Sequence, residues 1–301
     1  MTQSASSLYE SKRLSAAEAV ALIPSGARVA MGLGVSEPPA LLSALANRAA
    51  AGQIVDISLY YMLATTIAGA TVLAYELRDR INPVSLFHGG VERALDAIAA
   101  RNAAAPVDII PVAFSQVPRM LTDHLGVDTL ITTVSPMDDA GNFSFGTNTD
   151  YALGVSRAAA RIIVEVNPRM PRVQGNCFVH ISQISAVVEN SAPLLAMAQA
   201  QPGAEDRAIA QIVAGLVEDG ACLQMGIGAL PDAVCAALEG HRHLGIHTEL
   251  MTPGLAALMQ SGVVDNSGKS HHRGRSVFTF AWGIGLFMTS SMIIPCWRRI
   301  P

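Results

Sequence analysis

Residues 223–254 read LQMGIGALPDAVCAALEGHRHLGIHTELMTPG, and three parts follow one another in this stretch. An apolar run, Ala221 to Met225, ends in a glycine-rich turn, Gly226-Ile227-Gly228-Ala229-Leu230-Pro231. A helical segment comes next, with Val234, Ala237 and Leu238 on one face at helical spacing. A second apolar run, Leu244 to Leu250, carries a single carboxylate, Glu249, near its end. In an open α/β sheet the carboxyl ends of strands and the turns after them line the ligand crevice. The pattern therefore predicts that the glycine turn and Glu249 converge on one site.

The turn has a physical reading. Gly226 and Gly228 permit backbone angles and a close approach that a Cβ would forbid. Pro231 suits the first turn of the following helix, and Asp232 suits its positive end. Backbone N–H groups in such a turn can hold a phosphate or a developing oxyanion. A glycine pair alone is a weak signal, because most such turns only connect a strand to a helix. A dinucleotide fingerprint would need a third glycine where Pro231 stands. Glu249, about one βαβ unit later, gives the pair more weight than either part.

The stretch resembles the acetyl-CoA hydrolase/transferase family, close to the 4-hydroxybutyrate and butyrate–acetate CoA-transferases. The family's GIG-[GA]-[IL]-P-D-A-V loop stands here as Gly226–Val234, and its G-[IV]-H-[ST]-E strand as Gly245–Glu249. Further likeness lies at Ser135-Pro136, GNFSFG (Gly141 to Gly146), VEVNPRMPR (Val164 to Arg172) and FVHIS (Phe178 to Ser182). It runs from about Arg13 to Ala281. The resemblance implies two related open α/β domains of the CoA-transferase type. It also implies that Glu249 is the nucleophile and that Gly226, Ile227, Gly228, Ala229 and Leu230 touch coenzyme A. A carboxylate can attack an acyl-CoA thioester, giving a mixed anhydride and CoA thiolate. The thiolate then attacks the glutamyl carbonyl of the anhydride, the first acid departs and a glutamyl-CoA thioester remains, from which an acceptor acid reverses the sequence. CoA and acyl-CoA would thus be substrates, with a short carboxylate as acceptor and no permanently bound cofactor. The family likeness leaves a homo-oligomer open.

The 301 residues suggest one large or two medium domains. Half are hydrophobic and aromatics are scarce, as in stacked α/β layers. A net charge of -4 without a basic run argues against a nucleic-acid surface. Cys177, Cys222, Cys235 and Cys296 have no CxxC or zinc spacing and read as reduced thiols of a cytoplasmic protein. Met1 to Lys12 is polar and lacks the apolar core of a secretory signal.

Ser15 followed by Glu18 is a capping-box start for a helix. Apolar β-like runs recur at Ala27–Leu33, Ile54–Tyr60, Ser85–His88, Val107–Ala113, Thr129–Val134 and Ile162–Val166, with alanine-rich helical segments between several of them. That alternation predicts a mostly parallel sheet covered by helices on both faces. Pro193, Pro202 and Gly203 interrupt the pattern, placing the expected domains at 1–195 and 204–301.

Other readings compete. The commonest fate of a strand-end glutamate is a solvated surface position, and without the family likeness Glu249 would read so. His241, His243, His247 and Glu249 fit no standard zinc spacing, so no metal is expected. His271-His272-Arg273 is most simply a solvated loop, with contact to CoA phosphates as the sharper alternative. Ser135 lacks the GxSxG surroundings of a hydrolase elbow. Acyl-CoA hydrolysis is the nearest rival function, since it differs only in whether water reaches the intermediate. A nucleotide-binding oxidoreductase, or a sugar-phosphate isomerase on the related fold, fits the motifs less well.

Ser276 to Trp297 is free of charge and flanked by arginines, the length and setting of a membrane span. Gly283, Gly285 and Pro295 argue against that. The family pattern continues here with an LYDFIDDNP-like segment, from which this chain departs at about Trp282. A shifted reading frame over Phe287 to Pro301, with suitable codons, would spell YDFIDDNPVLAANP. The expectation is a frameshift, with the second domain cut short and its activity open to loss.

Overall fold

In the computed structural model the described residues are 4–196 and 201–282, with the backbone alone of 292–294. The chain divides into two compact units. The first runs to Arg172 and includes Phe178–Pro193, and the second takes Val173–Cys177 and the residues from Leu194 on.

The first unit is built on a seven-stranded sheet. Its strands are β1 (Arg28–Met31), β2 (Ile57–Tyr61), β3 (Ile81–Ser85), β4 (Asp108–Ile109), β5 (Thr129–Val134), β7 (Arg161–Val166) and β10 (Ala186–Glu189), while β6 (Asn142–Ser144) pairs antiparallel with β9 (Phe178–His180) beside it. The order is β10-β7-β5-β1-β2-β3-β4, with every pairing parallel. β5 is buried along its whole length, as a central strand between two helical layers must be. The core gathers Ile23, Val29, Leu41, Leu45, Leu59 and Ile131 between the sheet and the helices Ala16–Ala21 and Pro39–Ala50. Ser15 and Glu18 form the expected capping box.

β3 lies four residues earlier than the apolar run Ser85–His88 suggests, and it contains Pro83. The proline is tolerated because the two-residue β4 pairs only with Val84 and Ser85. Pro83, lacking an N–H, therefore leaves no ladder bond unmade on that edge. Past Ser85 the chain turns through Phe87–Gly89 into the helix Gly90–Arg101, whose Glu92 accepts a bond from the Gly89 amide at 2.8 Å.

Motif residues of this unit hold backbone in place. Asn167 donates to the Ala192 carbonyl at 2.9 Å and Arg169 to that of Ser191 at 3.1 Å, pinning the segment that leaves the sheet. Arg172 pairs with Asp138 and lies 4.8 Å over the Phe178 ring. Gly141 has φ +84, and a Cβ there would stand 2.7 Å from the His180 Nε2.

The second unit has shorter strands. β11 (Cys222–Leu223) pairs parallel with β12 (Gly245–Ile246), and β13 (Leu250–Met251) pairs parallel with β15 (Phe280–Ala281). β14 (Ser276–Val277), β16 (Met292–Ile294) and β8 (Gln174–Gly175) form a parallel set in the order β14-β16-β8. The helices are Ala204–Leu216, Ala229–Ala237 and Pro253–Gln260. No helix among the described residues is long and apolar enough to cross a membrane. The expected aberrant tail lies, beyond Trp282 and apart from the β16 backbone, outside the described residues.

Candidate active site

β11 and β12 run side by side, with Cys222 opposite Gly245 and Leu223 opposite Ile246. Their carboxyl ends therefore emerge together. The glycine turn leaves one and Glu249 follows the other by three residues. The His247 amide donates to the Leu223 carbonyl at 2.9 Å, the last ladder bond between them.

Within the turn the two glycines differ. Gly228 is the residue before the helix and has φ +126 and ψ -179, a conformation essentially closed to side-chain-bearing residues. Gly226 has no such angle, and the nearest atom to a Cβ placed there is the Pro231 Cγ at 3.9 Å. Its backbone is open to an approaching group. Ile227 projects outward at 55% exposure. Ala229 and Leu230 are already the first two helical residues, and Val234, Cys235 and Leu238 bury the inner face of that helix. Asp232 in its first turn is pushed up by burial.

Glu249 does not sit on a continuous strand. The expected strand Leu244–Leu250 breaks into β12 and β13 because the two halves pair with different partners, and Glu249 occupies the bend between them. Its carbonyl accepts from the amides of Thr279 and Phe280 at 3.0 and 3.1 Å. The side chain is exposed. Backbone bonds thus fix the residue and leave the carboxylate available.

Three neighbours hold this bend. Thr248 is buried, and its hydroxyl accepts from the Met225 amide at 3.3 Å and donates to the Leu250 carbonyl at 3.1 Å. Asn266 accepts from the Ile246 amide at 2.9 Å and donates to the Ser276 hydroxyl at 3.0 Å. Lys269, only 7% exposed, donates to the carbonyls of Ile246 and Arg275 at 2.6 and 2.7 Å. Burial holds its ammonium below the usual lysine range. Sequence reasoning passes over all three. A threonine in an apolar run carries no mark of its hydroxyl's partner, and a lysine reads by default as surface.

The histidines separate. His243 bonds Asp265 at 2.7 Å, holding that carboxyl down at about 2. His241 meets the Val217 carbonyl at 3.0 Å. His247 faces His272, with ring centroids 6.4 Å apart, and burial followed by the Lys269 charge holds it below the usual imidazole range. His271, His272 and Arg273 are exposed, and the Arg273 Nε donates to the Ser267 carbonyl at 2.7 Å. A groove of about 550 Å³ opens between the three helices, edged by Arg207, Gln211, Asp232, Glu239 and Pro253, and Glu249 does not line it.

Residues 1–198 match the acetyl-CoA hydrolase/transferase N-terminal domain. The chain belongs to that family. Among its relatives is the succinyl-CoA:cyclohexane-1-carboxylate CoA transferase of Geobacter metallireducens, 36% identical over 91% of this chain and 60% of that protein. The 4-hydroxybutyrate coenzyme A transferase of Clostridium kluyveri is also 36% identical, over 92% of this chain and 62% of that one. The crystal structure of RipA from Yersinia pestis superposes with a TM-score of 0.94 at 45% identity, covering 97% of this chain and 70% of that one. The chain spans only 60% and 62% of the lengths of these two curated relatives. Family membership and the mixed α/β architecture with its large parallel sheet accord with the expectation from the motifs.

Proposed function

We propose that this chain exchanges coenzyme A between an acyl-CoA and a short carboxylate, with Glu249 as nucleophile and Gly226 to Leu230 cradling the CoA. The observation that carries the reading is the adjacency of the Glu249 bend and the glycine turn at the ends of two paired parallel strands. The names of the relatives, each a CoA transferase, support it from a second side. The exposed carboxylate attacks the thioester carbonyl, and the CoA thiolate is expelled as a mixed anhydride forms. Thiolate attack on the glutamyl carbonyl then releases the first acid and leaves a glutamyl-CoA thioester, from which the acceptor acid takes the CoA by the reverse steps. CoA enters and leaves as substrate in this scheme. Cys177, Cys222 and Cys235 are thiols rather than half-cystines, which suits a reducing compartment, and the chain is assigned to the cytoplasm on that ground.

The test is chemical trapping. The 301-residue chain is incubated with an acyl-CoA and no acceptor acid, then treated with borohydride, which reduces a thioester to an alcohol. Mass spectrometry is expected to place the reduction on the peptide around Gly245 to Met251. Glu249→Gln, checked for deamidation, is expected to lose both the trap and the exchange. Reduction elsewhere in the chain removes Glu249 from the role, and no trapped thioester in the unaltered chain overturns CoA transfer for this polypeptide.

Hydrolysis is the second reading, favoured by one observation. The Glu249 side chain is exposed, so water can compete with the acceptor acid for the intermediate. Comparing acyl exchange with simple thioester loss, with and without acceptor, separates the two.

A further inference from the structure

We propose that Thr248 is the positioning residue that fixes Glu249 against the glycine turn, so that nucleophile and turn move as one unit. The proposal rests on the CoA-transfer reading for its catalytic consequence.

The strand ladder stops short of both the glycine turn and Glu249. β11 and β12 share their last bond at the His247 amide and the Leu223 carbonyl. Two residues beyond each partner of that bond stand Met225, the residue before the glycine turn, and Glu249. No ladder joins them there. The Thr248 hydroxyl takes over, accepting the Met225 N–H at 3.3 Å. A hydroxyl has one proton to give, and the shorter contact for it is the Leu250 carbonyl at 3.1 Å. One side chain thus holds the residue before the turn and the residue after the nucleophile. Its own amide donates to the Val277 carbonyl at 2.9 Å, on the side where Thr279 and Phe280 hold the Glu249 carbonyl. Glu249 is bonded outward through its backbone, and toward the turn through Thr248.

This arrangement answers a difficulty of the site. Glu249 lies in a bend with an exposed side chain, and a bend between two short strands has freedom that a continuous strand lacks. A nucleophile must meet the carbonyl in near-attack geometry, and a misplacement of about 1 Å costs on the order of a hundredfold in rate. Thr248 is buried, with 4% of the residue exposed, so water is a poor substitute for its hydroxyl. Its methyl group adds packing, which any β-branched residue could supply. The hydroxyl alone makes the tie.

Two substitutions separate these parts. Thr248→Val keeps the shape and removes the oxygen, while Thr248→Ser keeps the oxygen and removes the methyl. With an acyl-CoA and a short carboxylate as substrates, Thr248→Val is expected to lower kcat roughly tenfold to a hundredfold while KM for the acyl-CoA stays within about threefold. Thr248→Ser is expected to restore kcat to within about threefold of the unaltered chain, even if its Tm is the lower of the two. Hydrogen exchange measured on the peptide 223–230 is expected to quicken at the Met225 amide in the valine variant only. A valine variant with unaltered kcat, or a serine variant that fails as valine does, overturns the proposal. Should the unaltered chain show no exchange of CoA, the CoA-transfer reading falls. The amide measurement then decides the tie by itself: equal protection in the valine variant refutes it, and faster exchange sustains it.

Discussion

The Glu165 carboxylate accepts a hydrogen bond from the Ala40 amide at 2.8 Å, joining β7 to the first turn of the helix Pro39–Ala50. The same oxygen takes the Leu41 amide at 3.2 Å, and the other takes the Asn190 side chain at 2.6 Å. The helix has no capping side chain of its own at Pro38, so a strand two positions away in the sheet supplies the acceptor its first amides need. Burial pushes the Glu165 carboxyl above the usual range, and these three donors pull it back.

Replacing Glu165 therefore removes a cap and leaves one buried and two half-buried donors behind. Glu165→Ala is expected to cost about 3 kcal/mol, because the buried Leu41 amide and the half-buried Ala40 amide and Asn190 side chain lose their partner. Glu165→Gln keeps an acceptor and is expected to cost about half as much. Urea denaturation of each variant measures the difference. An alanine variant as stable as the parent would show that the helix end finds another acceptor.

The first unit should also be more stable in mild acid than in mild base. Burial pushes Glu37 up to about 7, against bonds from the Thr65 and Ala68 amides at 2.7 and 3.1 Å, and burial likewise raises Asp150 to about 7. Unfolded, Glu37 titrates near 4.5. Between those values the folded state holds a proton that the unfolded chain has given up, so stability falls as pH rises through the window. For Glu37 the whole change is about 3 kcal/mol, complete above pH 7. Urea midpoints at pH 5 and pH 8 are expected to differ in that direction, and Glu37→Gln is expected to shrink the difference. An unchanged slope in the Gln variant would place the dependence elsewhere.

Much of the first unit is legible in its sequence because its strands are buried on both faces. Runs such as Thr129–Val134 and Ile162–Val166 can hardly be anything else. β3 escapes because Pro83 argues against a strand, and only the shortness of its neighbour β4 makes it harmless. The second unit is harder to read. Whether Leu244–Leu250 is one strand or two depends on β11 and β15, which pair with its halves and lie far away in sequence. The placement of Val173–Cys177 with the second unit likewise turns on pairing between β8 and β16, which no local pattern announces. Glu249 and the turn are legible as motifs, whereas the Thr248, Asn266 and Lys269 bonds that hold them are choices of partner, made by tertiary packing.

Gly245 is expected to tolerate no side chain. A Cβ there would stand 2.7 Å from the Lys269 Cγ and 3.0 Å from its Cδ, whose stem is pinned by the bonds to Ile246 and Arg275. Gly245→Ala is expected to cost about 1–3 kcal/mol as overpacking, and to disturb the clamp beside Glu249. A double substitution with Lys269→Ala should be less than additive, since the second change removes the obstacle that the first one meets. Denaturation midpoints of the two single variants and the double complete the cycle, and strict additivity would show that the lysine stem is not what excludes a side chain.

The two glycines of the turn should part company when each is replaced by alanine. Gly228 holds φ +126, where an L-residue is strained whatever the space, so Gly228→Ala is expected to cost about 1–3 kcal/mol and to weaken CoA binding through loss of the turn's shape. Gly226 meets nothing nearer than the Pro231 Cγ at 3.9 Å, so Gly226→Ala is expected to leave stability within about 0.5 kcal/mol. If the open backbone at Gly226 is where the CoA approaches, the added methyl stands in its way, and Kd should rise about tenfold, or 1.4 kcal/mol. Stability and binding then respond separately: both change at Gly228, and only binding changes at Gly226. Urea denaturation and calorimetric titration with CoA measure the two quantities. An unchanged Kd in Gly226→Ala would move the CoA away from that glycine, and the cradle would have to be sought nearer the helix start at Ala229.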